Sequence, residues 1–131
     1  MNNYVIFTDS ACDIPEEKLN EWGVQRCCLT LSFTDSETQY QDGVLPFHEF
    51  YEKMRAGAVS KTAAVNVATF EEAFEKEAAK GNDILYLGFS SGLSTTYNSG
   101  RTALAEIKEK YPEGNFIAVD TLAASAGFGL L

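Results

Sequence analysis

One stretch decides the fold: Asp83-Ile84-Leu85-Tyr86-Leu87-Gly88-Phe89-Ser90-Ser91-Gly92-Leu93-Ser94-Thr95-Thr96. It begins as an apolar run of strand length, passes through a turn rich in glycine and hydroxyl side chains, and predicts a helix from about Ser94. Such a unit collects unpaired N–H groups and the positive end of a helix dipole at the loop. The loop is therefore predicted to bind an anion.

Three other segments have the pattern of strands. Val5-Ile6-Phe7 and Phe116-Ile117-Ala118-Val119 are short apolar runs, which are typical of buried strands. From Val24 to Phe33 the odd positions from 27 onward are apolar and alternate with Cys28, Thr30 and Ser32. That alternation predicts one strand with one buried face. A turn over 34–37 and a short returning strand over 38–40 are predicted to follow.

Helix signals lie between the strands. Pro15 begins one helix and Pro46 begins another, because proline suits the first turn. Thr69 with Glu72 three residues later predicts a capping box at the start of a third. The fourth helix follows the loop, and residues 60–66 are expected to be irregular. The aromatic stripe of the Pro46 helix is expected to pack into the core.

This alternation predicts an α/β fold, a parallel sheet with helices on both faces. Right-handed crossovers bring the carboxyl ends of the strands to one edge, where ligands bind in open sheets. Polar residues lie at those ends, and we expect them to converge on one crevice: Thr8-Asp9-Ser10, Gly88 to Ser91, and Asp120-Thr121. Residues 1–131 are expected to form one domain, with a second domain beyond the apolar segment that ends at Leu131.

Composition excludes several function classes. The formal net charge is -9, and a nucleic-acid-binding protein normally carries a basic face. No apolar run is long enough to cross a bilayer, so no stable membrane insertion is expected. Three unpaired cysteines and the lack of a secretory pattern predict a cytoplasmic protein. No cofactor and no metal site are expected.

Two enzyme-like or ligand-binding interpretations of the loop remain open at this point. Gly88-Phe89-Ser90-Ser91-Gly92 matches the Gly-x-Ser-x-Gly elbow of serine hydrolases, with Ser90 as the nucleophile. The only histidine, His48, lies upstream of it, which weakens this hypothesis. The loop also resembles those of phosphosugar-binding or other small-anion-binding domains. Turn geometry and helix capping explain the same residues without any ligand.

The whole chain resembles the DegV family of bacterial fatty-acid-binding proteins. The segments that carry the resemblance follow one another in the family's order: Thr8 to Pro15, Tyr40-Gln41-Asp42-Gly43, Phe50-Tyr51, Lys61-Thr62, Ser90 to Ser99, Val119-Asp120-Thr121 and Ala124 to Gly127. The resemblance implies a lipid carrier that is not itself an enzyme. Such a protein holds a long-chain fatty acid between two domains and presents the carboxylate to a separate ATP-dependent fatty acid kinase subunit.

The resemblance also implies site residues. Thr62 and Ser91, with Ser90 beside them, are expected to bind the fatty-acid carboxylate, and no residue is expected to be catalytic. A further set is expected to border the pocket: Thr8, Asp9, Ser10, Ser94, Tyr97 and Thr121. The chain departs from the family pattern at Ala63-Ala64-Val65-Asn66, where the family has hydroxyl and amide side chains, and at Thr95, where the family has glycine.

Overall fold

The computed structural model describes residues 3–130. In chain order the elements are β1 (Tyr4–Asp9), α1 (Glu16–Trp22), β2 (Val24–Cys27), β3 (Thr30–Phe33), β4 (Gln39–Gln41), α2 (Phe47–Arg55), β5 (Ser60–Ala63), α3 (Val67–Ala78), β6 (Asp83–Gly88), α4 (Thr96–Lys110) and β7 (Phe116–Asp120). Short 3-10 helices at Ser10–Cys12 and Ser125–Leu130 follow β1 and β7.

A parallel sheet with the strand order β2-β1-β6-β7 forms the centre of the fold. The register pairs Thr8 with Leu87 and Gly88 with Asp120, so the carboxyl ends of β1, β6 and β7 lie side by side. The predicted α/β class and the predicted convergence of polar strand ends are therefore both confirmed.

Both faces of this sheet carry helices. On one face Phe7 and Tyr86 pack against Phe70 and Phe74 of α3 and against α4, and the Phe7 and Phe74 rings meet edge to face at 4.9 Å. On the other face Leu19 of α1 forms a smaller cluster with Cys12 and Phe128. The larger cluster fixes the position of β6 and α4, which are the two elements that flank the loop.

The prediction of a single strand over Val24–Phe33 is wrong, because this segment forms two strands that belong to two different sheets. β2 belongs to the parallel sheet, while β3 pairs antiparallel with β4 and with β5. The chain crosses from one sheet to the other at Leu29, whose N–H donates to Ser10 Oγ at 2.9 Å. The odd positions stay buried through the crossing, so the alternation survives while the pairing partner changes.

The segment expected to be irregular, residues 60–66, contains strand β5. Its residues are exposed or half-buried, so hydrophobic alternation could not reveal it. The capping box at Thr69 is also wrong. α3 begins at Val67, and Asn66 is its N-cap, with its side-chain oxygen accepting from Thr69 N–H at 2.9 Å.

The aromatic stripe of α2 is not a core element, contrary to the expectation. Phe47 is 73% exposed and Tyr51 is 54% exposed. Phe50 alone of the three turns inward, with its ring 5.8 Å from that of Phe33. Within residues 3–130, no helix combines the length and the apolar character needed to span a membrane.

Candidate functional site

Asp9 anchors the start of the loop. It lies at the end of β1 with no exposed surface, and its carboxylate accepts hydrogen bonds from Tyr86 Oη at 2.8 Å and from Phe89 N–H at 2.9 Å. A third bond comes from Ala11 N–H at 3.2 Å. Burial raises the pKa of this carboxyl, and the three hydrogen bonds oppose the rise. Asp9 therefore ties β1 to the first residue after β6.

Ser90 organises the turn itself. Its N–H donates to Ala123 O at 3.1 Å, and its carbonyl oxygen accepts from Leu93 and Ser94 N–H. The hydroxyl oxygen accepts from Gly92 N–H at 3.3 Å, and the residue is only 7% exposed. The Ser90 hydroxyl thus serves the turn, as the interpretation without a ligand predicts for this residue.

Ser91 is an exposed residue of the loop, and Asp120 holds its backbone in place. Ser91 N–H donates to Asp120 Oδ1 at 3.1 Å, and Leu122 N–H donates to the same oxygen at 3.2 Å. A hydrogen bond from the Ser91 side chain lowers the pKa of Asp120 below its ordinary value. The sequence showed Asp120 at a strand end, but gave no reason to pair it with Ser91.

The backbone N–H groups at the start of the loop are not free, whereas the sequence analysis expected unpaired N–H groups that could bind an anion. Those of Phe89, Ser90, Ser91 and Gly92 each have a protein acceptor. Two of these acceptors are carboxylates. An anion at this loop is therefore left with the exposed hydroxyls of Ser91 and Thr95 and with part of the first turn of α4. In that turn Thr96 N–H already donates to Ser94 Oγ at 3.2 Å, and Ser99 N–H donates to Thr95 O at 3.1 Å.

The hydroxyl side chains expected to border the pocket hold the edge of the sheet together. Each makes a hydrogen bond within the domain: Thr8 to Leu87 O at 3.1 Å, Ser10 from Leu29 N–H, Ser94 to Thr96 Oγ1 at 3.0 Å, Tyr97 to Ala118 O at 3.5 Å, and Thr121 to Gly88 O at 2.8 Å. The Tyr97 ring also stacks on Tyr86 with the centroids 6.3 Å apart. These bonds account for the residues structurally and support the shape of the loop.

Thr62 lies on the other sheet. It is exposed on β5, paired with Leu31, and it lines a cavity of about 280 Å³ together with Phe47, Phe50 and Tyr51. Among residues 3–130 no hydrogen bond joins Thr62 to Ser90 or Ser91. The structure therefore brings the loop residues together, while Thr62 lies on β5 in a cavity whose lining also includes Asp13 and Asp42.

The loop lacks the partners of a hydrolase nucleophile. The buried Ser90 hydroxyl is engaged with Gly92, and His48 is an exposed residue of α2. Asp120, the carboxylate at the end of β7, is bonded to Ser91 and Leu122. In the described part of the chain no histidine contacts Ser90, and no group of His, Cys, Asp and Glu side chains could hold a metal ion.

Comparison with known proteins gives consistent matches along the whole domain. The chain is 42% identical over 134 residues to a DegV domain-containing protein of Clostridium perfringens, which covers all of this chain and 45% of that protein. It is 35% identical over 130 residues to a DegV domain-containing protein of Streptococcus pyogenes, covering 98% of this chain and 45% of the relative. The chain thus spans less than half the length of the curated relatives it matches.

Solved structures share the fold. A stearic acid-binding protein from Eubacterium ventriosum superposes with a TM-score of 0.88 at 30% identity, over 97% of this chain and 44% of that one. A Thermotoga maritima protein described as revealing a fatty acid binding function gives 0.83 at 30% identity, over 99% and 46%. A family model described as "Uncharacterised protein, DegV family" matches residues 3–131, and with these relatives it shows that the chain belongs to the DegV family.

Proposed function

We propose that this domain binds a long-chain fatty acid, with the carboxylate held by Ser91 and Thr62 and with Ser90 supporting the loop beside them. The observation that carries the proposal is the likeness to the Eubacterium ventriosum stearic acid-binding protein over almost the whole chain. A DegV family protein from Eubacterium eligens, 26% identical with a TM-score of 0.79, is described as loaded with heptadecanoic acid.

The geometry is compatible with this role at two points. Ser91 is exposed on the loop that leads into α4, and partial positive charge at the start of that helix favours a carboxylate nearby. Thr62 lines a cavity whose walls include Leu31, Leu45 and the aromatic stripe of α2. That apolar surface suits an acyl chain, and its exposure in the isolated domain is explained if an acyl chain covers it.

The cavity is smaller than a complete ligand site. Its volume of about 280 Å³ lies just below the roughly 300–1,000 Å³ that small-molecule sites occupy. The proposal therefore includes a second domain, which supplies the remaining walls and brings the carboxylate within reach of both Ser91 and Thr62.

The proposal extends to a partner. The domain is not the enzyme; it presents the bound carboxylate, in the cytoplasm, to a separate ATP-dependent fatty acid kinase subunit. Mixing the protein with a fatty acid kinase subunit, ATP and oleate tests this step. The expected result is an acyl phosphate that depends on both proteins, whereas formation that is independent of this protein would contradict it.

The binding step is tested by displacement of a fluorescent fatty acid from the protein at the full length its gene encodes. We expect the Ser91→Ala and Thr62→Ala variants each to bind oleate about tenfold more weakly, since each loses a hydrogen bond to a charged group. Their affinity for oleyl alcohol is expected to change less, because no carboxylate is involved. Thr102→Ala, which removes an exposed hydroxyl of α4, is the matched control and is expected to bind like the wild type.

The outcomes separate the alternatives. Equal oleate binding by all variants would contradict the assignment of the carboxylate ligands. Thermal stabilisation by phosphorylated sugars but not by oleate would favour a phosphosugar-binding domain. The occupied N–H groups of the loop count against that alternative, because a phosphate normally needs them. Labelling of Ser90 by a fluorophosphonate probe would revive the hydrolase hypothesis.

A further inference from the structure

We propose that Asp120 determines the specificity of the loop, making it favour a carboxylate monoanion over a phosphate dianion. This inference rests on the proposed function, in which the Ser91 loop receives the ligand's acidic group. It concerns a residue that the sequence analysis placed at the crevice but did not assign to the carboxylate site, and it names the class of ligand that the loop rejects.

The first argument is the position of the Asp120 charge. Its Oδ1 atom accepts from the N–H groups of Ser91 and Leu122 at 3.1 and 3.2 Å. The Ser91 side chain also hydrogen-bonds this carboxylate, so a ligand has to compete with Asp120 for the Ser91 hydroxyl. A ligand that reaches Ser91 therefore meets a fixed negative charge. A dianion is repelled more strongly there than a monoanion.

The second argument is the lack of a compensating cation on the segments that build the loop. Residues 84–100 contain no charged side chain, and Asp120 is the single charged residue in 115–131. The other carboxylate at the loop, Asp9, takes Phe89 N–H. Sites for phosphate dianions usually offer free N–H groups or basic side chains, whereas this loop has its N–H groups paired with protein acceptors.

The size of the effect follows from the extra charge. An alkyl phosphate at pH 8 carries nearly one negative charge more than a fatty acid. Across a few ångströms at a protein surface, one charge pair changes an equilibrium by about fivefold or more. Neutralising Asp120 should therefore shift the ratio of the two affinities by about fivefold in favour of the phosphate, and salt should reduce the shift.

The test uses tetradecanoate and tetradecyl phosphate as probes of equal chain length, titrated at pH 8 in low salt. Asp120→Asn keeps a side-chain oxygen that can accept from Ser91 N–H but removes the charge. Asp35→Asn removes an exposed charge from the turn between β3 and β4 and serves as the control. We expect the affinity ratio to shift about fivefold toward the phosphate in Asp120→Asn, to shift less in 0.5 M salt, and to stay unchanged in the control.

The possible failures are distinguishable. If the wild type binds tetradecanoate but the ratio in Asp120→Asn changes by less than about twofold, the specificity role of Asp120 is overturned while the proposed function stands. If the wild type prefers tetradecyl phosphate, the inference is likewise overturned. If the wild type binds neither probe, the proposed function fails first and this inference fails with it.

Discussion

Replacing Asp9 with alanine should destabilise the domain strongly, because this buried carboxylate serves three donors from two parts of the chain. The change removes the acceptor of Tyr86 Oη and of Phe89 N–H, both of which lie at the boundary between β6 and the loop. Neither group has another hydrogen-bond acceptor among the described residues, so the buried Tyr86 hydroxyl and the partly buried Phe89 N–H are both left unpaired.

The magnitude follows from these two groups. An unsatisfied buried donor costs about 1–3 kcal/mol, so the two donors together cost about 2–6 kcal/mol. A domain of this length has a free energy of unfolding of about 7–20 kcal/mol. The Asp9→Ala variant should therefore lose about 2–6 kcal/mol, a substantial part of its stability, and remain folded in the absence of denaturant.

A double-mutant cycle measured by urea denaturation assigns this loss to the contact with Tyr86. Tyr86→Phe removes the hydroxyl and keeps the ring, and the coupling energy with Asp9→Ala should be about 1–3 kcal/mol. Tyr97→Phe is the matched control, because its hydroxyl bonds to Ala118 and not to Asp9. A coupling below about 0.5 kcal/mol between Asp9 and Tyr86 would refute the reasoning, as would an equal coupling with Tyr97.

Three further changes test the frame around the site. Glu77 is 7% exposed, and hydrogen bonds led by that from Lys80 lower its pKa from 4.5 to about 2. The ionised Glu77 therefore contributes its full stabilisation above pH 4.5, and that stabilisation is lost as the pH falls through 2. We expect Glu77→Gln to cost about 2 kcal/mol of the free energy of unfolding at pH 7. In the variant, the urea concentration at the unfolding midpoint should also fall less steeply as the pH is lowered. Gly100→Ala should lower the melting temperature by several degrees, because the methyl group would overlap the Tyr86 ring. Asn66→Ala should cost about 1 kcal/mol by denaturant titration, since it removes the cap of α3.

Much of the parallel sheet could be predicted from the sequence, because its strands are near-continuous apolar runs that end in polar residues. The run 83–88 and the end of α1 at Gly23, whose φ of 69° favours glycine, are found where the patterns indicate. The antiparallel sheet could not be predicted. Alternation reports which side chains are buried, so it continued through Leu29 while the chain changed sheets, and β5 has no buried face to reveal it.

The site was only partly accessible to sequence reasoning. The loop could be located because glycine and serine follow a strand there, but its occupied N–H groups depend on contacts across 29 and 80 residues of chain, from Asp120 and Asp9. No local pattern reports such contacts. The exposure of Phe47 on α2 was missed for a related reason. An apolar stripe on a helix indicates that the stripe packs against another surface, but it does not show whether that surface is the core of the same domain.

The most direct test of the account is native mass spectrometry of the delipidated protein, at the length its gene encodes, after incubation with palmitate or oleate. The account predicts a one-to-one complex heavier by the mass of one fatty acid, and a smaller bound fraction for Ser91→Ala and Thr62→Ala than for Thr102→Ala. A wild-type protein that acquires no fatty acid under these conditions would contradict the central claim.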